Sequence, residues 1–245
     1  MKMKKWIGLA LSASLAQSVM ADAPASRPSQ LPLLVIGASY AEGKTPFNNG
    51  LAPLGGVSVG LGSYLSVGQA LTRNPLLPGY VINEGQAGAT TMGRAYCAPG
   101  ANTCGPATWD GYATQLQRAL ARVAVPPAFN TYNAKYVFIM PPNDCLHADA
   151  FGVPQALSQP CSAAQINQVA DRLIAVGQQA RAAGLTPIYG AMPSYKQLDL
   201  PLFRSLYGLA WVIGEADYTS MRSVTSSRIL SEVPGALVLD IWRDF

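Results

Sequence analysis

Five unbroken apolar runs limit what this chain can fold into. They are LPLLVIG (31–37), GYVIN (79–83), AKYVFIM (134–140), LTPIYGAM (185–192) and GALVLDI (235–241). A strand with one wet face alternates apolar and polar residues, whereas a strand covered on both faces reads as a continuous apolar run. Helical stretches separate the runs. In 108–124, Trp109, Tyr112, Leu116, Leu120 and Val123 recur at helical spacing. In 162–183, Ile166, Val169, Leu173, Val176 and Ala180 do the same. That second stretch opens with Ser162 and Gln165 at capping-box spacing and stops at Gly184. A shorter helix is expected around 60–73 and a long helical region around 200–231. Strands alternating with helices predict an α/β fold: a doubly wound, five-stranded parallel sheet with helices on both faces. Segment 43–60, rich in Gly and Pro, reads as a long loop beside the site.

The first residues give a compartment. Lys2, Lys4 and Lys5 form a basic head, residues 6–16 a short apolar run, and Val19-Met20-Ala21 a small-residue cleavage pattern. This is the layout of a secretory signal peptide, 1–21, leaving a single domain over 22–245. The apolar run is well short of the roughly 20 residues a membrane span needs. A secreted or periplasmic location follows. The three lysines supply much of the net charge of +4, so no nucleic-acid-binding footprint is expected. An oxidising compartment also turns the four cysteines into candidate disulfides. Four cysteines allow three pairings; the sequence-local ones, Cys97–Cys104 and Cys145–Cys161, are favoured because each brackets a turn-rich segment. Zinc is disfavoured by the absence of CxxC spacing and the presence of a single His.

In a parallel sheet functional groups collect at the carboxyl ends of the strands. The first run ends at Gly37-Ala38-Ser39, the second at NEGQAGATT with Gly88, and the third at MPPNDCLH with Asn143. A hydroxyl, an exposed glycine N–H and a side-chain amide form the set that acyl transfer needs: a nucleophile and donors for the developing oxyanion. Singly each has a plainer reading. Ser39 could make a local turn, Gly88 could serve a positive φ, and Asn143 could cap a turn. Gly43-Lys44-Thr45 imitates the close of a P-loop, but the loop's first Gly belongs at position 38, where Ala38 stands, and Glu42 opposes phosphate. The elbow G-x-S-x-G fails at Ala41, and Pro46 and Asn48-Asn49-Gly50 leave no helix starting after the serine.

Taken together and in order, these motifs resemble the SGNH, or GDSL, hydrolases. Gly37-Ala38-Ser39-Tyr40 stands for the family's G-D-S-L block, Asn83 through Gly88 for its second block, and Pro141-Pro142-Asn143-Asp144 for G-x-N-D. The resemblance implies a flavodoxin-like fold and a serine esterase or lipase acting without metal or cofactor. Ser39 would be the nucleophile, and the Ser39 and Gly88 backbone N–H groups with the Asn143 side chain would form the oxyanion hole. The expected partner is a small-molecule, lipid or acetylated-sugar ester.

Three departures qualify the match. Ala38 replaces an Asp and Pro141 a Gly. The family's D-x-x-H block, which supplies the general base, has no counterpart after LVLDIWRDF, so the chain is expected to be a truncated form lacking the family's last helix, with little turnover. Asp144-Cys145-Leu146-His147 does spell D-x-x-H, but Asn143 must already face the site, and a loop histidine without a catalytic role is the preferred reading. The alternative function is a catalytically inactive binding protein on the same fold.

Overall fold

The computed structural model describes residues 33–38, 41, 81–86, 89–95, 108–123, 134–146, 161–201 and 213–242. In chain order the strands are β1 (Leu33–Ile36), β2 (Val81–Asn83), β3 (Arg94–Ala95), β4 (Thr108–Trp109), β5 (Tyr136–Ile139), β6 (Thr186–Gly190) and β7 (Leu237–Leu239). The short strands β3 and β4 pair with each other in antiparallel fashion. The other five lie one in each apolar run and form a sheet that is parallel throughout, in the order β2-β1-β5-β6-β7. Among the described residues three long helices alternate with them: α1 (Tyr112–Val123), α2 (Ala163–Ala182) and α3 (Glu215–Glu232).

The crossovers from β2 to β5, β5 to β6 and β6 to β7 all advance in one direction across the sheet. Right-handed connections therefore put α1, α2 and α3 on the same face. Side chains alternate accordingly. Leu34, Ile36, Val137, Ile139 and Tyr189 point under the helices and join Leu116, Val169, Leu173 and Met221 in the larger core cluster. Val35, Phe138 and Met140 point the other way and cluster with Ala41. Both sets are buried, which is why the strands read as unbroken apolar runs; each such side chain contributes about 1.5–3 kcal/mol.

The ends of α2 follow from its sequence. Ser162 accepts from the Gln165 N–H, and Gln165 Oε1 accepts from the Ser162 N–H, completing the capping box. At the other end Gly184 adopts φ +80, with Leu185 N–H donating to Ala180 O and Gly184 N–H to Arg181 O. These two bonds are the Schellman arrangement that a left-handed glycine permits.

Two expectations need correction. Trp109 belongs to β4, and α1 begins three residues later at Tyr112; β-branched and aromatic residues suit a pleated pairing better than a first helical turn. The helical region expected at 200–231 is interrupted at 213–214. Helical backbone appears at Leu200–Pro201, and α3 starts separately after Gly214, whose extended backbone (φ −78°, ψ 168°) makes it an N-cap. Glu215 and Asp217 then favour the helix N-terminus electrostatically. The helix expected at 60–73 and the signal peptide at 1–21 lie outside the described residues. No described helix is long and apolar enough to cross a membrane.

The Cys145–Cys161 disulfide is present, with Cα atoms 5.4 Å apart. It joins the segment after β5 to the residue before the α2 N-cap, and it removes both thiolates from any zinc site. Cys97 and Cys104 lie outside the described residues.

Candidate functional site

The chain passes from β1 to β2 on one side and then returns to β5 on the other, so the topological switch lies between β1 and β5. Ligands of open α/β sheets bind beyond the carboxyl ends of the strands at such a point. The three strand exits that carry the sequence motifs are those of β2, β1 and β5, adjacent in the sheet.

β1 leaves through Gly37 at φ +145, a conformation open to glycine and closed to other residues. Space imposes the same choice, since a Cβ at position 37 would fall 2.5 Å from Met140 Cβ. The Gly37 N–H donates to the buried Gln115 Oε1 (2.7 Å), and its carbonyl accepts from the Gln86 N–H (3.0 Å). Gln115 Nε2 donates to Asp110 O, while the Asp110 N–H donates to Gln86 Oε1. Exits β1 and β2 and the entry to α1 are therefore cross-linked through two glutamines. Ala38 and Ala41 are buried, and the Ala41 N–H donates to Ala38 O (2.9 Å). Ser39, between them in sequence, lies outside the described residues.

β2 leaves through Asn83. Its Oδ1 accepts from the Gly85 N–H (2.9 Å), forming a local Asx turn, and its Nδ2 donates to Ala41 O. Asn83 thus ties the second exit to the segment following the first. Glu84, next along, is buried with its carboxylate against the Arg118 and Arg122 guanidinium groups of α1. Gly88 lies outside the described residues; Ala89, beside it, is fully buried.

β5 leaves through Met140-Pro141-Pro142-Asn143. Asn143 is half-buried, and its Nδ2 donates to Ala89 O at 3.3 Å. The amide orientation follows from this contact, because the flipped group would set two carbonyl oxygens face to face. An amide NH₂ carries two donors, and Ala89 takes one.

Asp144 is 7% exposed and its two oxygens are occupied. Oδ2 accepts from the Thr91 N–H (2.8 Å), and Oδ1 from the Thr91 hydroxyl (2.6 Å) and Arg172 Nη2 (3.3 Å). Arg172 Nε donates to Thr91 Oγ1 (2.7 Å). A buried carboxylate is tolerated when it is paired and hydrogen-bonded in this way. Both Asp144 oxygens are engaged, so the side chain anchors the β5 exit to Thr91 and to Arg172 of α2. His147 lies outside the described residues. Close by, burial first and the Asp144 charge second push the Tyr112 hydroxyl well above its ordinary pKa. It stays a proton donor, to Pro141 O at 3.0 Å.

Asn143 is therefore the sequence-derived site residue with a described environment. Three neighbours escaped sequence reasoning. Gln115 left a signal: it is polar yet stands in the buried stripe of α1 with Tyr112, Leu116 and Ala119. Arg172 stands at the border of the α2 stripe, three residues after Val169 and four before Val176. Thr91 left none, because nothing in its surroundings announces a contact 53 residues away.

No family model matches the chain, and no curated protein matches it. Among solved structures, it is similar to a candidate SGNH hydrolase from Slackia heliotrinireducens at 14% identity and a TM-score of 0.43, over 86% of this chain and 78% of that one.

Proposed function

We propose that the chain, after loss of residues 1–21, is a secreted or periplasmic serine hydrolase of carboxylic esters, built as one SGNH-type domain over 22–245. Ser39 Oγ attacks the ester carbonyl carbon and gives its proton to a base. The carbonyl oxygen becomes an oxyanion, held by the Ser39 and Gly88 backbone N–H groups and by Asn143 Nδ2. Collapse of the tetrahedral intermediate breaks the bond to the alkoxide, which leaves as the alcohol and gives an acyl-enzyme. Water then adds to the acyl carbon, and the acid departs as Ser39 regains its proton. The substrate class is a small-molecule, lipid or acetylated-sugar ester.

The observation that carries this reading is the Asn143 amide. It sits at the β5 exit, beside the switch point, bonded through one N–H to Ala89, the residue after Gly88. An amide held by one donor can aim the other at substrate, which is what an oxyanion donor requires. Asn143→Ala is expected to lower kcat for a p-nitrophenyl ester by about 10²–10³ and to leave KM nearly unchanged, since such a donor acts in the transition state. A large KM rise at constant kcat would make Asn143 a substrate-binding group only. The alternative, an inactive binding protein on this fold, is tested with a fluorophosphonate: the hydrolase labels at Ser39, and the inactive protein does not.

A further inference from the structure

Two ties run side by side between the segment after β2 and the exit of β5. One is Asn143 Nδ2 to Ala89 O. The other is the Thr91–Asp144 pair, in which the carboxylate of the very next residue accepts both the N–H and the hydroxyl of Thr91. Arg172 closes the second tie from α2, donating to Thr91 Oγ1 and to Asp144 Oδ1. Thr91 is the hub: its hydroxyl donates to Asp144 while accepting from Arg172, and it is 3% exposed. Three structural elements converge on that one oxygen.

From this geometry we infer that Thr91 is a positioning residue for the Asn143 amide, with Asp144 and Arg172 as its partners. The inference rests on the reading of Asn143 as an oxyanion donor. Asn143 holds its own tie at 3.3 Å, a long hydrogen bond that does not by itself fix an amide. Its backbone is instead fixed by Asp144, one residue on, through bonds of 2.6 and 2.8 Å. Loosening these lets the amide drift, and drift matters: a misplacement of about 1 Å can cost a hundredfold in rate. The clasp is also buried and charge-assisted, so it holds its geometry more firmly than neutral bonds would.

The test is a cycle of four proteins in the full chain, read by ester turnover and by the rate of fluorophosphonate labelling. Thr91→Val keeps the shape and removes the hydroxyl. It is expected to lower kcat about ten- to a hundredfold with KM within about twofold, while Thr91→Ser, which restores a hydroxyl, recovers most of the rate. The decisive reading is the double variant Asn143→Ala/Thr91→Val. If Thr91 acts through Asn143, the double variant is no slower than Asn143→Ala alone. Multiplying losses would show that Thr91 acts elsewhere and would overturn the inference. So would an unchanged rate in Thr91→Val when Asn143→Ala has lowered it; the oxyanion reading then survives alone. If Asn143→Ala is itself silent, the oxyanion reading falls and the inference with it; if the unsubstituted chain neither turns over ester nor labels, it is the inactive binding protein, and the hydrolase reading falls first and takes the inference with it. Should Thr91→Val fail to fold, Asp144→Asn replaces it in the same cycle with the same expected and overturning results, because it keeps the side chain's shape and weakens the bonds to Thr91.

Discussion

At the scale of single residues, the site is framed by groups whose chemistry is fixed by what surrounds them. Tyr112 is the sharpest case. Burial disfavours its phenolate, and the Asp144 charge adds to that, so its folded pKa lies well above 10. A raised pKa stabilises the fold in the neutral form. The contribution is complete below the unfolded value of about 10 and is lost as pH rises from there through the folded value. Tyr189 is pushed up as well, again by burial. Alkaline unfolding should therefore set in above about pH 10, each such tyrosine adding a slope of up to about 1.4 kcal/mol per pH unit. In Tyr112→Phe that slope should fall by one proton's worth but not vanish, because Tyr189 remains. Loss of the bond to Pro141 O should cost about 1 kcal/mol at neutral pH. Urea midpoints between pH 8 and 11 measure both effects, and a slope equal to that of the unsubstituted protein would rule out Tyr112 as a contributor. The Tyr112–Pro141 contact also ties α1 to the β5 exit. The proline carbonyl is an acceptor for α1, and its ring lies 3.1 Å from where a Cβ on Gly190 would stand.

At the scale of elements, the strands and α2 were legible because local and tertiary demands coincide in them. A strand covered on both faces must be apolar at every position, so β1, β5 and β6 show in the sequence without any knowledge of their partners. The five buried residues expected on α2 are buried, and its two caps lie within three residues of its ends. The start of α3 was less legible, since a helical period does not reveal that Gly214 caps it. A notch between α2 and β6 was not legible at all. The Tyr189 hydroxyl donates to Leu173 O (2.8 Å) and occupies the place where a Cβ on Gly177 would be. Alanine at 177 would gain about 1 kcal/mol of helix propensity, but overpacking a buried contact costs about 1–3 kcal/mol, and with Val233 Cγ1 also 3.0 Å away the clash wins. Gly177→Ala is thus expected to destabilise. Tyr189→Phe vacates the hydroxyl's place, so the double variant should be more stable than the sum of the single losses by about 1 kcal/mol. Additive losses in guanidinium unfolding would mean that the hydroxyl and the glycine do not share that space.

At the scale of the whole molecule, the described long helices lie on one face of the sheet. α1, α2 and α3 share a single core with the sheet, and α3 is held to α2 by Arg228, which pairs with Asp171 and, within its own helix, with Glu232. These ion pairs are exposed and add little; apolar burial and one covalent link hold this side together. The disulfide spans 16 residues, and by chain-entropy reasoning closing a loop of that size removes about 3 kcal/mol of freedom from the unfolded ensemble. Its position gives it a second consequence. Cys145 follows Asp144 directly and takes φ +67, a left-handed backbone that a residue with a Cβ adopts at a cost. The segment that carries Asn143 therefore ends in a strained residue, anchored on one side by the Asp144 clasp and on the other by Cys161. Replacing both cysteines with alanine should lower unfolding stability by about 2–4 kcal/mol. Cys145→Gly with Cys161→Ala should lose about 1 kcal/mol less, because glycine relieves the left-handed strain. In the pair of variants loop entropy is lost equally, so their difference isolates the backbone term; equal denaturant midpoints would show that Cys145 leaves its left-handed conformation once the bond is gone.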